Sequence, residues 1–213
     1  LLADAARHDA LVLVGRCYDL SETPPYGPWT ETLARAPRNN GLPMLPTAVL
    51  PSDREDGEAL ASQEAILRRV QSYLAALGAR RPVVLLLDDL HWADPASLDL
   101  LRVVARQLAE LHILLMVTYR ADEVVHQHPL YALLPLLIRE SRAARLDLRP
   151  LDADDLRAFV RRRYDLAPPD EDRLVGHLRD RAEGNPFYAG ELLRSLEEER
   201  MLAREARRWK LDD

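Results

Sequence analysis

RPVVLLLDDLHWADPASL, residues 81–98, is the stretch on which the rest of the chain turns. Six apolar residues, Pro82 to Leu87, run straight into two adjacent carboxylates, Asp88 and Asp89. A run this short, apolar at every position and rich in Val and Leu, leaves no wet face. It reads as a strand buried in the middle of a parallel sheet. In open α/β sheets ligands bind beyond the carboxyl ends of the strands, so this one aims two negative charges at the crevice. Asp94 before Pro95 is an N-cap followed by proline at the first helical position. A helix from Pro95 to about Ala109 therefore starts right after the acidic loop, and Asp94 takes a structural role.

That leaves Asp88 and Asp89 as the chemical pair. One carboxylate at such an edge holds Mg²⁺ through water, and a second orients or deprotonates an attacking water. These are the needs of a nucleoside triphosphatase, and the pattern is the one called Walker B. An Asp at a strand end also serves simply to cap a turn, so the pair alone does not decide function.

With 213 residues the chain has room for one domain with a real core plus a small helical appendix. Its 30% charged and 47% hydrophobic content is that of a globular protein. The net charge of −6 comes with interspersed signs and no basic block, which argues against a nucleic-acid footprint. One cysteine, Cys17, excludes an internal disulfide framework and fits a reducing, cytoplasmic compartment; as the end of a buried strand it reads as core rather than nucleophile. No apolar run reaches the length of a membrane span. The absence of an initiating Met and the helix-like opening LLADAARHDA read as a chain cut from a longer one.

In chain order, Leu1 to about His8 is helix-like and Leu11 to Cys17 is a first strand. SETPPYGP, residues 21–28, is an extended loop, followed by a short helix with Trp29 and Leu33. Residues 37–56 are rich in Pro, Gly, Asn and Asp and form the least structured part. A helix over Glu58–Leu77 has Ala61, Ala65, Val70, Leu74 and Leu77 inward and Gly78 as its C-cap. After the 95–109 helix a third strand, Ile113–Thr118, leads to Arg120, a cation at the edge that carries the aspartates. There it can sense a γ-phosphate and stabilise charge in its transfer, or pair with Asp122 or Glu123 in the next loop. A helix over Leu130–Ser141 and a fourth strand over Ala144–Leu148 complete βαβ units. His126 and His128 read as solvated loop histidines, not metal ligands.

From Asp152 the period is helical only. Asp152 and Asp155 make a box-like cap, Pro168-Pro169 break the first helix, and a second covers Asp170–Ala182. Gly184 as left-handed C-cap, Asn185 as N-cap and Pro186 as first helical residue account for the turn into a third helix, Pro186 to about Ala203. A short strand begins around Trp209–Leu211. G-x-x-x-x-G-K-[ST], the phosphate cradle, does not occur, and the single lysine is Lys210.

Four segments together carry a resemblance: GRCYDLSETPPYGPWTETL from Gly15, RPVVLLLDDLHWADPASLDLL from Arg81, LLMVTYR from Leu114 and AEGNPFYAGELLRSL from Ala182. In this order they are similar to the ATPase domain of STAND-type signalling proteins, AAA-related P-loop NTPases of large bacterial LuxR-type transcriptional regulators. The resemblance implies an α/β fold with a parallel sheet flanked by helices over residues 1–150, a helical lid over 151–205 and the start of a linker at 206–213. It implies that Asp88 binds Mg²⁺, that Asp89 polarises the attacking water, and that Arg120 is the sensor arginine. Pro186, in the turn with Gly184, is expected near the adenine of ATP or ADP. It further implies a P-loop strand before Leu1, central in the sheet, without which the 213-residue chain is expected to be poorly stable and to hold ATP weakly. The function expected is an ATP-binding, slowly hydrolysing switch of a multidomain transcriptional regulator. Expected partners are nucleotide, other domains of the same chain and further copies in a nucleotide-dependent oligomer, with neither membrane nor nucleic acid. The alternative is a non-enzymatic scaffold that relays partner binding without using nucleotide.

Overall fold

The apolar run forms the middle strand of a three-stranded parallel sheet. The computed structural model describes residues 1–19, 24–37, 42, 45, 63–108, 110–205 and 208–212. The sheet order is β1 (Leu11–Arg16), β2 (Val83–Asp88), β3 (Ile113–Val117), with Arg16 opposite Asp88 and Leu87 opposite Val117. In β2, Val83, Val84, Leu85 and Leu87 are all buried. With a parallel neighbour on each side and helices against the sheet, most of this strand is shielded from water, Leu86 and the terminal Asp88 being half-buried, which explains an unbroken apolar run.

The chain divides into two units, Leu1–Arg145 and Leu146–Asp213. In the first, α1 (Leu2–Arg7) precedes β1. Then α2 (Gly27–Ala34) packs on β1, followed by α3 (Gln63–Gly78), α4 (Pro95–Leu108) and α5 (Pro129–Ser141). The approach of α2 to β1 depends on Gly15: a Cβ there would lie 2.0 Å from Pro28 O and 2.2 Å from Thr32 Oγ1. Trp29 of α2 is fully buried, and its indole N–H donates to Ser97 O at 3.1 Å, which ties α2 to the start of α4. Helix α3 buries Ile66, Val70, Tyr73, Leu74 and Leu77; Val70, Leu74 and Leu77 are inward as expected, Ala65 is only half-buried, and Ala61 lies outside the described residues. Gly78 closes α3 without a left-handed φ; a Cβ on it would come within 3.0 Å of Ile113, so packing rather than capping fits glycine there. The loop expected over residues 37–56 and the first turn expected at 58–62 lie almost wholly outside the described residues.

One expected strand is absent. Residues 144–148 pair with nothing in a sheet, and Leu146 and Leu148 are 86% and 96% exposed. An alternating run becomes a strand only with a partner for its backbone groups, and no described segment supplies one.

The second unit contains α6 (Ala153–Arg161), α7 (Pro168–Ala182) and α8 (Pro186–Glu198), closed by an antiparallel hairpin of β4 (Leu202–Glu205) and β5 (Arg208–Leu211). Leu202 and Leu211 face each other in that hairpin and join Leu156, Val160, Leu174, Leu178, Ala189 and Leu193 in one core. The third helix ends at Glu198 rather than near Ala203, and the strand expected around Trp209–Leu211 forms as β5, packed into this unit. Pro168 and Pro169 open α7 as its first residues instead of merely separating two helices. Glu171 is buried in α7 and held by both Arg161, through two hydrogen bonds of 2.8 Å, and Arg157, at 3.1 Å. These contacts draw its carboxyl below the ordinary range, Arg161 contributing most. Arg161 thus ties α6 to α7.

Candidate functional site

The carboxyl edge of the sheet gathers Arg16 from β1, Asp88 from β2, Asp89 just after it, and Thr118 just after β3. Parallel register does this: Arg16 and Asp88 end adjacent strands at the same level. Arg16 Nε lies 3.8 Å from Asp88 Oδ2. Thr118 Oγ1 donates to Asp88 Oδ1 at 2.5 Å and accepts the backbone N–H of Asp89 at 2.9 Å. One hydroxyl therefore fixes the side chain of the first aspartate and the backbone of the second. Asp89 needs that hold, because its backbone is left-handed (φ 56°), an uncommon state for a residue other than glycine. This conformation turns the chain out of β2 into the single 3₁₀ turn Leu90–Trp92. Backbone bonds from Leu90 N to Thr118 O, 2.8 Å, and from Cys17 N to Asp88 O, 2.9 Å, lock the three strand ends together.

Asp94 is buried, 8% exposed, and takes no part in this edge. It caps α4, accepting from Ser97 N at 2.9 Å and Ser97 Oγ at 2.5 Å. It also accepts from Tyr26 N at 3.2 Å, which pins the left-handed turn before α2. Cys17 is buried below the same edge, and its thiol is pushed up to about 12 by burial first and by the Asp94, Asp89 and Asp88 carboxylates after it. It is a protonated core thiol at neutral pH.

Arg120 is placed in the loop after β3, and its guanidinium pairs with Glu123, Nη1 to Oε1 3.1 Å, at a side chain that is 61% exposed. The ion pair inside its own loop, which the sequence left open, is what this structure holds. His128 is not a solvated loop histidine: its Nδ1 caps α5 by accepting from Leu130 N at 3.1 Å, and its Nε2 donates to His91 O at 2.8 Å. His126 is exposed, its ring edge-on to Tyr131.

Gly184 and Pro186 belong to the second unit. Glu183 is the left-handed C-cap of α7 (φ 49°), and Gly184 follows it with φ 78°. A Cβ on Gly184 would meet Leu151 O at 2.5 Å, so the turn closes against the segment before α6. Asn185 caps α8 by accepting from Phe187 N at 2.9 Å, with Pro186 as first helical residue, as the spacing predicts. Phe187 and Tyr188 stand exposed beside it.

The sequence singled out neither Thr118, Arg16 nor His91. Thr118 and Arg16 were findable as polar residues at the ends of apolar strands bordering the acidic one. The pairing that unites them is set by register between distant segments.

The site fits a magnesium ion carried in with a nucleotide. Among the described residues no three His, Cys, Asp or Glu side chains converge to hold a metal. Magnesium needs no such cage: one or two carboxylates, waters and phosphate oxygens suffice, and Asp88 offers a fixed carboxylate that is about a third exposed. The triphosphate cradle is not supplied by the residues present, since Lys210 Nζ pairs with Asp212 in the second unit, 3.0 Å away.

Residues 1–117 match the family described as AAA ATPase domain. An uncharacterized protein of Rhizobium meliloti (strain 1021), R02095, is 34% identical over 110 residues, which are 52% of this chain and 10% of that protein. The chain thus corresponds to about a tenth of the length of that relative. No solved structure matches. No helix among the described residues is long and apolar enough to cross a membrane. With the parallel sheet, the acidic strand end and the family match over more than half of its length, this chain belongs to the AAA ATPase domain family, whose members generally use ATP and Mg²⁺.

Proposed function

We propose that this chain is the ATP-operated switch domain of a larger cytoplasmic regulator of the STAND type, a transcriptional regulator of the LuxR kind, with slow hydrolysis resetting it. The observation that carries this reading is the Thr118 clamp, which presents Asp88 and Asp89 side by side at the carboxyl edge of a parallel sheet. Two adjacent carboxylates repel each other, and a purely structural turn has no need of both. Asp88 holds Mg²⁺ through water; the ion, when bound, screens the phosphate charges and supplies Lewis acidity. Asp89 orients the attacking water and accepts its proton. Arg120 reads the γ-phosphate. Gly184 and Pro186 are proposed for the adenine, as the resemblance implies. The coverage of only a tenth of the Rhizobium relative supports a domain within a much longer protein, with other domains and further copies of itself as partners.

The test is Asp89→Asn in the full-length protein. ATP binding persists and turnover falls by about 10²-fold or more, the usual cost of losing a general base. Unchanged turnover refutes the assignment. A full-length wild type that binds no nucleotide, yet signals normally, establishes the scaffold reading instead.

A further inference from the structure

His91 joins the acidic strand end to the Arg120 loop and has no role in the mechanism above. Its side chain is completely buried. Nδ1 accepts the backbone N–H of Arg120 at 3.3 Å, which leaves the proton of the neutral ring on Nε2. That Nε2 is buried without a hydrogen-bond partner. It faces Glu123 Oε2 at 3.5 Å, just beyond a good hydrogen bond. The other oxygen of the same carboxylate, Oε1, is held by the Arg120 guanidinium. The position of His91 is itself fixed, since its carbonyl accepts from His128, the cap of α5.

Glu123 thus has two donors of opposite character. The Arg120 pair is exposed and intrinsically weak, and a guanidinium exchanges a carboxylate for the planar, doubly charged face of a phosphate readily. The His91 N–H is buried and under-bonded, a state that favours closing on any acceptor within reach. We infer that His91 and Glu123 form a partner-exchange switch. Without a γ-phosphate, Glu123 holds Arg120 away from the site. With one, Arg120 turns to the phosphate and Glu123 closes on His91 Nε2–H. His91 is then a positioning residue that acts through Glu123, and Glu123 sets how strongly the domain distinguishes triphosphate from diphosphate. This rests on the reading of Arg120 as the γ-phosphate sensor.

The experiment measures Kd for ADP and for the non-hydrolysable triphosphate AMP-PNP by titration calorimetry on the full-length protein, and compares their ratio. Glu123→Gln releases Arg120 and raises the preference for AMP-PNP by about three- to fivefold, the range of an exposed ion pair. His91→Asn keeps an acceptor for the Arg120 N–H but loses the donor to Glu123, and lowers the preference by a similar factor. His91→Gln, which puts an N–H near the Nε2 position, restores it. In the Glu123→Gln background His91→Asn has no further effect.

Equal behaviour of His91→Asn and His91→Gln, or a His91 effect that persists in the Glu123→Gln background, overturns the exchange. So does an unchanged ratio in Glu123→Gln, a part-exposed site whose substitution tests the idea even where His91 variants do not fold. Arg120→Ala separates the two levels. If it leaves the ratio unchanged, the sensor reading falls and the exchange with it. If it abolishes the preference while His91 and Glu123 act independently, only the exchange falls.

Discussion

Replacing Asp94 with Ala tests the division of labour within the acidic loop, because this aspartate is assigned to structure and its neighbours to chemistry. The carboxylate accepts three hydrogen bonds, from Ser97 N, Ser97 Oγ and Tyr26 N, at a position 8% exposed. A surface cap replaced by Ala costs about 1 kcal/mol. Here water cannot easily replace the lost oxygens, so two backbone N–H groups are orphaned. At about 1–3 kcal/mol for each unsatisfied buried donor, and with the Ser97 hydroxyl free to turn to a helix carbonyl, a loss of about 3 kcal/mol is expected. Asp94→Asn keeps one acceptor oxygen and a donor that Ser97 Oγ can accept, so it is expected to cost about 1 kcal/mol. Urea unfolding followed by tryptophan fluorescence measures both, in a Trp209→Phe background so that Trp29 and Trp92 of the first unit carry the signal. An Asp94→Ala loss below about 1 kcal/mol, no more than an exposed cap, would refute the claim that this carboxylate anchors both α4 and the turn before α2.

Two further outcomes follow from the titrating groups. Glu171 has its carboxyl lowered, by Arg161 first and Arg157 after it, so it binds protons less readily folded than unfolded. Its contribution is then complete above the ordinary carboxylate value of about 4.3 and is lost as pH falls below that value through the lowered one. Acid unfolding of the second unit, followed by Trp209 fluorescence, should lose its steepness below about pH 4 in Glu171→Gln; an identical acid limb removes Glu171 as the cause. Cys17, with its thiol pushed up to about 12, should resist iodoacetamide at neutral pH in the folded protein and react fully in denaturant. Stoichiometric labelling of the native protein within minutes would contradict its burial.

Much of the first unit was legible because its signals are local. Unbroken apolar runs marked β1, β2 and β3 as strands, of which the middle strand β2 is the most deeply buried while Leu114 of β3 is 52% exposed. Helix boundaries followed caps, with Asp94, Asp152 and Asn185 each accepting from the backbone ahead of it. What failed was whatever depends on a distant partner. Residues 144–148 alternate as a strand does, yet no strand among the described residues runs beside them. LARE of β4 carries no alternation to announce it, and becomes a strand because Leu202 finds Leu211 across a hairpin. At the site, the two aspartates were visible as a doublet at a strand end. The hydroxyl that clamps them was not, since Thr118 is 30 residues from Asp88 and reaches it only through parallel register.

The loop after β2 therefore holds three kinds of residue in seven positions, and their burial sorts them. Asp88 and Asp89 lie at the rim, where an ion or water can reach them, and both are held through one hydroxyl that belongs to another strand. His91 and Asp94 are buried and point away from that rim, one toward the loop of Arg120 and the other toward the start of α2. A local acidic turn would need none of these long-range ties. Thr118 ties the end of β3 to Asp89, His91 ties the Arg120 loop to the 3₁₀ turn, and Asp94 ties α4 to the turn before α2. In the proposed switch, movement of Arg120 toward a nucleotide acts on the 3₁₀ turn through His91, while Thr118 holds the backbone of Asp89.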